Sequence, residues 1–368
     1  MLWRSVAQRG CTYLLRLPAA RAPRCLWTSA SLRSHEHQKD VKKWTLEVSP
    51  FTRVQAHVGC SISVRPLDLH AVPEANRAEI TVHGSEPDLF HVNYNHQSQQ
   101  LLISAAELDS SVVLELAAPV KSSLLITTMG NGNVQVKNME CDVCTIRLER
   151  GDCLLKSIKG HQVEVHSSGG NVTGHGTIHG NVDIRTSGDG TLLQAVEVKK
   201  LQGTTMNVCT DHGPLKVKAI YAESSCVSSS SGRVELGLVH GSTSVKNESG
   251  DTVIDGSNSL LKVSSRSGDI DVYVGEGASA ELHSQQGAVC VRVPSSLRAA
   301  VELRGLLVDV SPEMVLQGAQ NKTSEGQASV TGVLNSEGPV EQRVKAEADR
   351  GPVRLKTQSW FDSLKLGR

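Results

Sequence analysis

The stretch Ser267-Gly268-Asp269-Ile270-Asp271-Val272 decides how this chain folds, because its phrase returns again and again. Each copy is a small or polar residue, a glycine, then alternating apolar residues. Earlier copies read Asn131-Gly132-Asn133-Val134-Gln135-Val136, Arg150-Gly151-Asp152-Cys153-Leu154-Leu155, Gly169-Gly170-Asn171-Val172 and Asp189-Gly190-Thr191-Leu192. Then come His212-Gly213-Pro214-Leu215-Lys216-Val217, Ser231-Gly232-Arg233-Val234-Glu235-Leu236 and Ser249-Gly250-Asp251-Thr252-Val253. The last is Gln286-Gly287-Ala288-Val289-Cys290-Val291. The glycines thus recur with a nearly constant step, lengthened once between Gly190 and Gly213. Self-similarity at a fixed period near 20 marks a repeat architecture.

Within a copy, Val234 and Leu236 flank Glu235, the period-2 pattern of a strand with one buried face. A second alternation usually precedes the glycine, as in Val163 and Val165, Val182 and Ile184, Val196 and Val198, Leu261 and Val263. One unit is therefore two short strands joined at glycine-containing corners, where a Cβ would be penalised. No helical period lies between units, which excludes a βαβ parallel sheet. The predicted fold class is all-β, a repeat β-solenoid of parallel β-helix-like stacked coils with a period of about 19 residues. A small β-rich N-terminal region precedes it. With strands about 4.8 Å apart, such a stack is a rod on the order of 40 Å long. An antiparallel sandwich competes, but its strands recur at about 8–12 residues without a repeated phrase.

The 368 residues include 32 glycines and only 3% aromatics, which suits a narrow interior of Val, Ile and Leu ladders. The 38 cationic and 38 anionic side chains balance, but Arg4, Arg9, Arg16, Arg21, Arg24 and Arg33 all precede the first acid, Glu36. Removing those six leaves 32 against 38, a net charge of −6 for the body. An acidic body with no basic stripe in its sequence predicts no nucleic-acid partner. No apolar run approaches the roughly 18 residues of a spanning helix. Residues 1–35 are Arg-rich, acid-free and amphipathic, the composition of a mitochondrial transit peptide, with cleavage expected within 26–35. Arginines interrupt any secretory h-region. The predicted address is mitochondrial, with the matrix favoured.

The predicted organisation places a β-rich N-terminal cap region at 40–120, with strands at 45–48, 54–64, 78–82, 101–104 and 112–116. The solenoid follows at 121–310, then a loop at 311–340. A C-terminal strand and cap occupies 341–368, with a late repeat phrase, Arg350-Gly351-Pro352-Val353-Arg354-Leu355, and Trp360, Phe361 and Leu364 folding over the last coil. The run Val112-Val113-Leu114-Glu115-Leu116-Ala117-Ala118-Pro119, then Leu124-Leu125-Ile126-Thr127-Thr128, leads into the first repeat glycine. An apolar alternation ending in proline, a strand, then serial glycine units resembles the putative-adhesin β-solenoid domain family, common in bacteria, over about residues 110–295. With its arginine-rich leader the whole chain resembles the vertebrate family with sequence similarity 185. The resemblance implies a β-solenoid and carries over no catalytic residues.

Candidate chemistry is sparse. Cys141-Asp142-Val143-Cys144, with Cys153 nearby, has the thiol spacing of a redox or zinc pair. It lacks the helix N-terminus of a redox motif and a second pair to complete a zinc site. The odd count of nine cysteines shows no disulfide framework, so Cys144 and Cys290 read as small core residues. His175, His179 and Asp183, beside His161 and His166, are metal candidates if stacking collects them on one face; parity sends His166 and His179 to solvent. Ser224-Ser225 and Ser228-Ser229-Ser230-Ser231 read as corner hydrogen-bonding groups rather than nucleophiles. No GxSxG elbow, phosphate loop or dinucleotide fingerprint occurs. The structural residues are the turn glycines Gly132, Gly151, Gly170, Gly190, Gly213, Gly232, Gly250, Gly268 and Gly287.

These observations predict a non-enzymatic interaction scaffold with unknown protein partners, no cofactor and no transmembrane segment. A secreted adhesin-like binder is the first alternative, for which the sequons at Asn171, Asn247 and Asn321 would matter. A carbohydrate- or metal-dependent β-helix enzyme is the second, and an end-to-end polymer the third.

Overall fold

The computed structural model describes residues 41–358 apart from 71, 85–86, 108–110, 189–193, 325 and 337. The predicted leader, Gly190 and the Trp360–Leu364 cap lie outside the described residues. The β-solenoid that the repeat predicts is the fold observed, a single connected network of strands. A coil consists of a strand on one face, a bend, a strand on the second face and a glycine corner. In Cys153–Ser167, Val172–Thr186, Val196–His212, Leu215–Ser231 and Val234–Ser249 one unbroken strand runs through the bend and serves both faces. Neighbouring coils pair in parallel, residue on residue.

Alternation turns this register into ladders. Ile62, Val134, Cys153, Val172, Val196, Leu215, Val234, Thr252, Ile270 and Val289 stack along the inside of the first face. Ile126, Ile146, Val165, Ile184, Val208, Val227, Val245, Val263 and Leu282 do so on the second. All are buried. A third interior ladder is polar: Ser167, Thr186, Thr210, Ser229, Asn247, Ser265 and Ser284. Several of its members meet the corner backbone that apolar side chains would leave unpaired. The Asn247 amide donates to the carbonyls of Gly232 (3.2 Å) and Gly250 (2.9 Å), and Ser284 Oγ donates to Gly268 (3.1 Å).

The corners explain the glycines. A Cβ on Gly232 would overlap the carbonyl oxygen of Gly213, and the same holds for Gly250 on Gly232, Gly268 on Gly250 and Gly287 on Gly268. The residue after the glycine builds a second ladder, in which a side-chain oxygen accepts the next coil's backbone N–H. Asn133 Oδ1 takes the Asp152 amide (2.8 Å), Asp152 Oδ1 takes Asn171 (2.9 Å), and Asn171 Oδ1 takes Ala195 (2.9 Å). Asp251 then serves Asp269 (3.1 Å) and Asp269 serves Ala288 (2.8 Å). Each run ends on an alanine, which offers no acceptor. The next coil then carries Pro214 or Pro352, which has no N–H to satisfy.

The register corrects one unit boundary. Val172 pairs with Val196 and Val196 with Leu215, so the coil between the first two is the longer one. The buried Gln194 fills the corner slot assigned from sequence to Gly190. Its amide Nε2 donates to the carbonyls of Ser168 (3.3 Å) and Ser187 (3.1 Å), closing a wider corner.

Both ends are threaded, not stacked in chain order. At the N-terminal end, Arg53–Gly59 lies between Gln100–Glu107 and Ser123–Thr128, and Ser61–Pro66 between Val113–Ala118 and Val134–Lys137. At the other end, Arg343–Ala348 and Val353–Thr357 enter between the coil of Ser279–Ser284 and Val289–Val293 and that of Ala299–Gly305 and Val308–Val310. The predicted divisions at 120 and 340 therefore do not correspond to structural ones. Within 41–118, Arg53–Gly59, Ser61–Pro66, Gln100–Glu107 and Val113–Ala118 continue the same parallel stack, and the late repeat phrase is an inner coil. Gly351 stacks on Gly287 as the other corner glycines do. Arg292 ties this inserted coil down, donating to Asp271 (2.5 Å), the Ile254 carbonyl (3.1 Å) and Gln358 (2.9 Å).

The predicted loop at 311–340 is instead largely an antiparallel pair, Leu316–Ser324 with Gln327–Leu334, packed along Ala299–Gly305. Its alternation is hidden because only Leu334 is fully buried. That pair covers one sheet edge, while Val41–Glu47, Arg77–His83 and His91–Asn95 add antiparallel strands at the other end.

Candidate functional site

The chain bends at Asn138 (φ 53°) and Met139 between Val134–Lys137 and Glu140–Leu148, and the alternation then slips at the exposed Asp142 and Val143, which leaves Cys141 and Cys144 both inward. Placed at i and i+3 on a straight strand, they would face opposite sides. The two thiols hydrogen-bond each other; that bond draws Cys141 down from the usual thiol range and, with burial, pushes Cys144 well above it. Cys153 fills an apolar ladder slot between Val134 and Val172. Burial raises its thiol to about 12 and that of Cys60 to about 11. Cys290 corrects the sequence reading: it faces outward, half-buried, between the inward Val289 and Val291.

A thiol that stays protonated when folded but ionises near 8.5 when unfolded lends stability below that pH, and the stability is lost as pH rises toward 12. The expected slope is about 1.4 kcal/mol per pH unit for such a group. Cys153→Val fits the Val134–Val172 ladder and is expected to change stability at neutral pH by less than about 1.5 kcal/mol. It should also remove one thiol's share of the alkaline loss. Urea unfolding at about pH 8 and pH 10 measures both; an unchanged alkaline loss refutes the assignment.

The histidine candidates are separated. His175 pairs in register with Lys156 on the first face, His179 with Lys159 at the bend, and Asp183 with Glu164 on the second face. Asp183 is held bidentately by Arg185, with both contacts 2.9 Å. Among the described residues no group of three or more His, Cys, Asp or Glu side chains is arranged to hold a metal ion. Ser231 accepts or donates at His212 Nδ1 (2.9 Å) across a corner. Of the sequon asparagines, Asn247 is interior and its amide nitrogen is committed to Gly232, Gly250 and Thr252, while Asn171 and Asn321 are exposed.

What the structure assembles is an outer surface of charge columns. On the second face a shallow cleft of 460 Å³ joins Lys246, Lys262 and His283 to Arg343 and Lys345 of the threaded coil. Cross-strand compensation is general there and elsewhere: Lys262–Glu281 (3.1 Å), Lys216–Glu235 (3.4 Å), Lys159–Glu140 (2.7 Å) and Arg343–Glu302 (2.5 Å).

The first face departs from this pattern. Arg65, Lys137, Lys156, His175, Lys199 and Lys218 each lie one residue beyond the inward ladder Val64, Val136, Leu155, Gly174, Val198 and Val217. Lys137, Lys156 and His175 are direct register partners, and Arg65, Lys199 and Lys218 extend them into one outward column of five lysine and arginine cations and His175 on six consecutive coils. The sequence reading of no basic stripe is thereby corrected: the stripe exists across strands and is invisible along the chain. Asn138 (φ 53°), Ser157 (φ 52°) and Gly176 (φ 78°) turn left-handed immediately after Lys137, Lys156 and His175, placing the column at the edge of the face beside the bend.

Residues 180–356 match the family model described as Toastrack DUF4097. The matched segment runs from the bend after His179 to the threaded C-terminal coil, and the match agrees with a β-solenoid fold. The fold extends beyond it, since the coils of 53–66 and 100–179 pair by the same register. Three solved structures are also similar. A putative adhesin from Parabacteroides distasonis ATCC 8503 is 14% identical, with 68% of this chain and 97% of that one covered and a TM-score of 0.42. One from Parabacteroides merdae ATCC 43184 is 13% identical (69% and 95%, TM-score 0.36), and one from Bacteroides fragilis NCTC 9343 is 12% identical (69% and 97%, TM-score 0.34). No helix among the described residues is long and apolar enough to cross a membrane.

Proposed function

We propose that this chain is a non-enzymatic β-solenoid scaffold of mitochondria, imported on its arginine-rich leader and binding protein partners along its outer faces. The observation that carries the binding part is the register itself. It converts single exposed residues into continuous columns on a backbone hydrogen-bonded from coil to coil, a rigid surface suited to extended partners. The address rests on residues 1–35, which hold arginine, serine and leucine and no acid. The likeness of the whole chain to the vertebrate family with sequence similarity 185 belongs to the same proposal.

Proximity labelling in cells, with the full chain beside one lacking residues 1–35, tests it. The expected result is matrix labelling that is lost on deletion, together with a set of labelled partners. Labelling of the secretory route with a glycan on Asn171 or Asn321, the two exposed sequon asparagines, would replace this reading with the secreted adhesin-like one.

A further inference from the structure

We infer that the column Arg65, Lys137, Lys156, His175, Lys199 and Lys218 is a docking strip for an extended, Glu/Asp-rich segment of a partner protein. The inference rests on the protein-binding reading above and names the chemistry of one partner. Like charges facing each other on adjacent strands destabilise a sheet. This molecule offsets such positions elsewhere: Lys262 faces Glu281 and Lys216 faces Glu235, and where Asp183 faces Glu164 the Arg185 guanidinium holds the Asp183 carboxylate. Among the described residues none of the six side chains of the column enters an ion pair. Five of them are exposed and Lys137 is half-buried. A cost that the fold offsets elsewhere is thus retained along this column, and a bound anion relieves it.

The surroundings select the anion. The outward neighbours two residues earlier are Ser63, Gln135, Leu154, Thr173, Glu197 and Lys216, with no aromatic ring among them. Bases of a single-stranded nucleic acid would have no platform on which to stack. No large apolar side chain of this strip is exposed, so a bilayer would gain nothing by contact beyond charge. A row of mostly lysine ammonium groups is a line of flexible point charges, without the forked geometry that phosphate-reading arginines supply. Five steps of about 4.8 Å give a row about 24 Å long, the reach of roughly seven extended residues.

The test is fluorescence anisotropy of the full chain with a labelled peptide of about twelve residues alternating Glu and Ser. Saturable binding is expected, weakening at least tenfold between about 50 and 200 mM salt as the charges are screened. The variant Lys137→Gln/Lys156→Gln/Lys199→Gln/Lys218→Gln should lose at least tenfold in affinity. Arg266→Gln/Arg298→Gln/Lys322→Gln/Arg354→Gln removes as many exposed charges elsewhere and should bind like the unaltered chain. No binding, or equal loss in both variants, overturns the inference. So does tighter binding to an oligothymidylate of equal length, a heparin fragment or phosphatidylserine vesicles. The assay uses purified protein, so a changed cellular address would leave its result standing, and its failure would leave the partners found by labelling intact.

Discussion

Gly268→Val is expected to cost the folded state about 4 kcal/mol. Gly268 sits at φ +134°, a region in which a β-branched residue is strained by about 1–3 kcal/mol. Its new Cβ would also overlap the carbonyl oxygen of Gly250 and stand 3.2 Å from the amide nitrogen of Asp251. Both are backbone atoms of the coil beneath, so no side chain can swing aside. Relief requires the coils to separate, which weakens the Gly250 N–H bond to the Ser267 carbonyl (2.8 Å) and the Asp269 amide on Asp251 Oδ1 (3.1 Å). Gly338→Ala is the control: nothing lies within 4 Å of its added carbon, and a change within about 0.5 kcal/mol is expected. Urea unfolding followed by circular dichroism compares the two. A difference below about 1 kcal/mol would mean that the corners are not the close contacts that impose the repeat.

Leu355→Ala is expected to cost about 2–5 kcal/mol, and to do so at a place its position near the chain end would not suggest. Leu355 is fully buried, paired with Val291 on one side and Val310 on the other. The vacated volume would sit between two coils, where neither can collapse onto it without shifting the corner of Gly351 on Gly287. Amide hydrogen exchange should therefore rise in Val289–Val293 and Val308–Val310 as well as in Val353–Thr357. Were 341–368 a terminal cap, faster exchange would be confined to that segment. Exchange limited to residues after 342 would refute the threaded topology.

The contrast between these two sites shows what kind of information the chain carries along its length. The corner at Gly268 is legible because its cause is local: a glycine, then a period-2 strand, recurs wherever the coil must turn past its neighbour. The same logic made Cys144 and Val234 inward residues from parity alone. Cys290 misled because it follows an inward valine; the repeat phrase places its second apolar position, not its first polar one, in the core. The hairpin Leu316–Leu334 was missed because it packs mainly through half-exposed residues, leaving little alternation to read.

The amino-acid sequence by itself determined the coil, its glycine corners and the apolar ladders, since these follow from a period repeated within each unit. Only the tertiary structure decided the order of the coils and what their surfaces assemble. The phrase at Gly351 satisfies any slot in the stack equally well, so its place beside Val289 depends on pairing with Val353, far along the chain. The cationic column depends on register across coils of unequal length. Lys199 joins the column because Val198 pairs with Gly174 across a coil longer than its neighbours, where a strict repeat of the usual step would set Gln194 after the partner of Gly174. Parallel pairing adds one such residue per coil, and charges scattered along the chain become a single line at about 4.8 Å spacing.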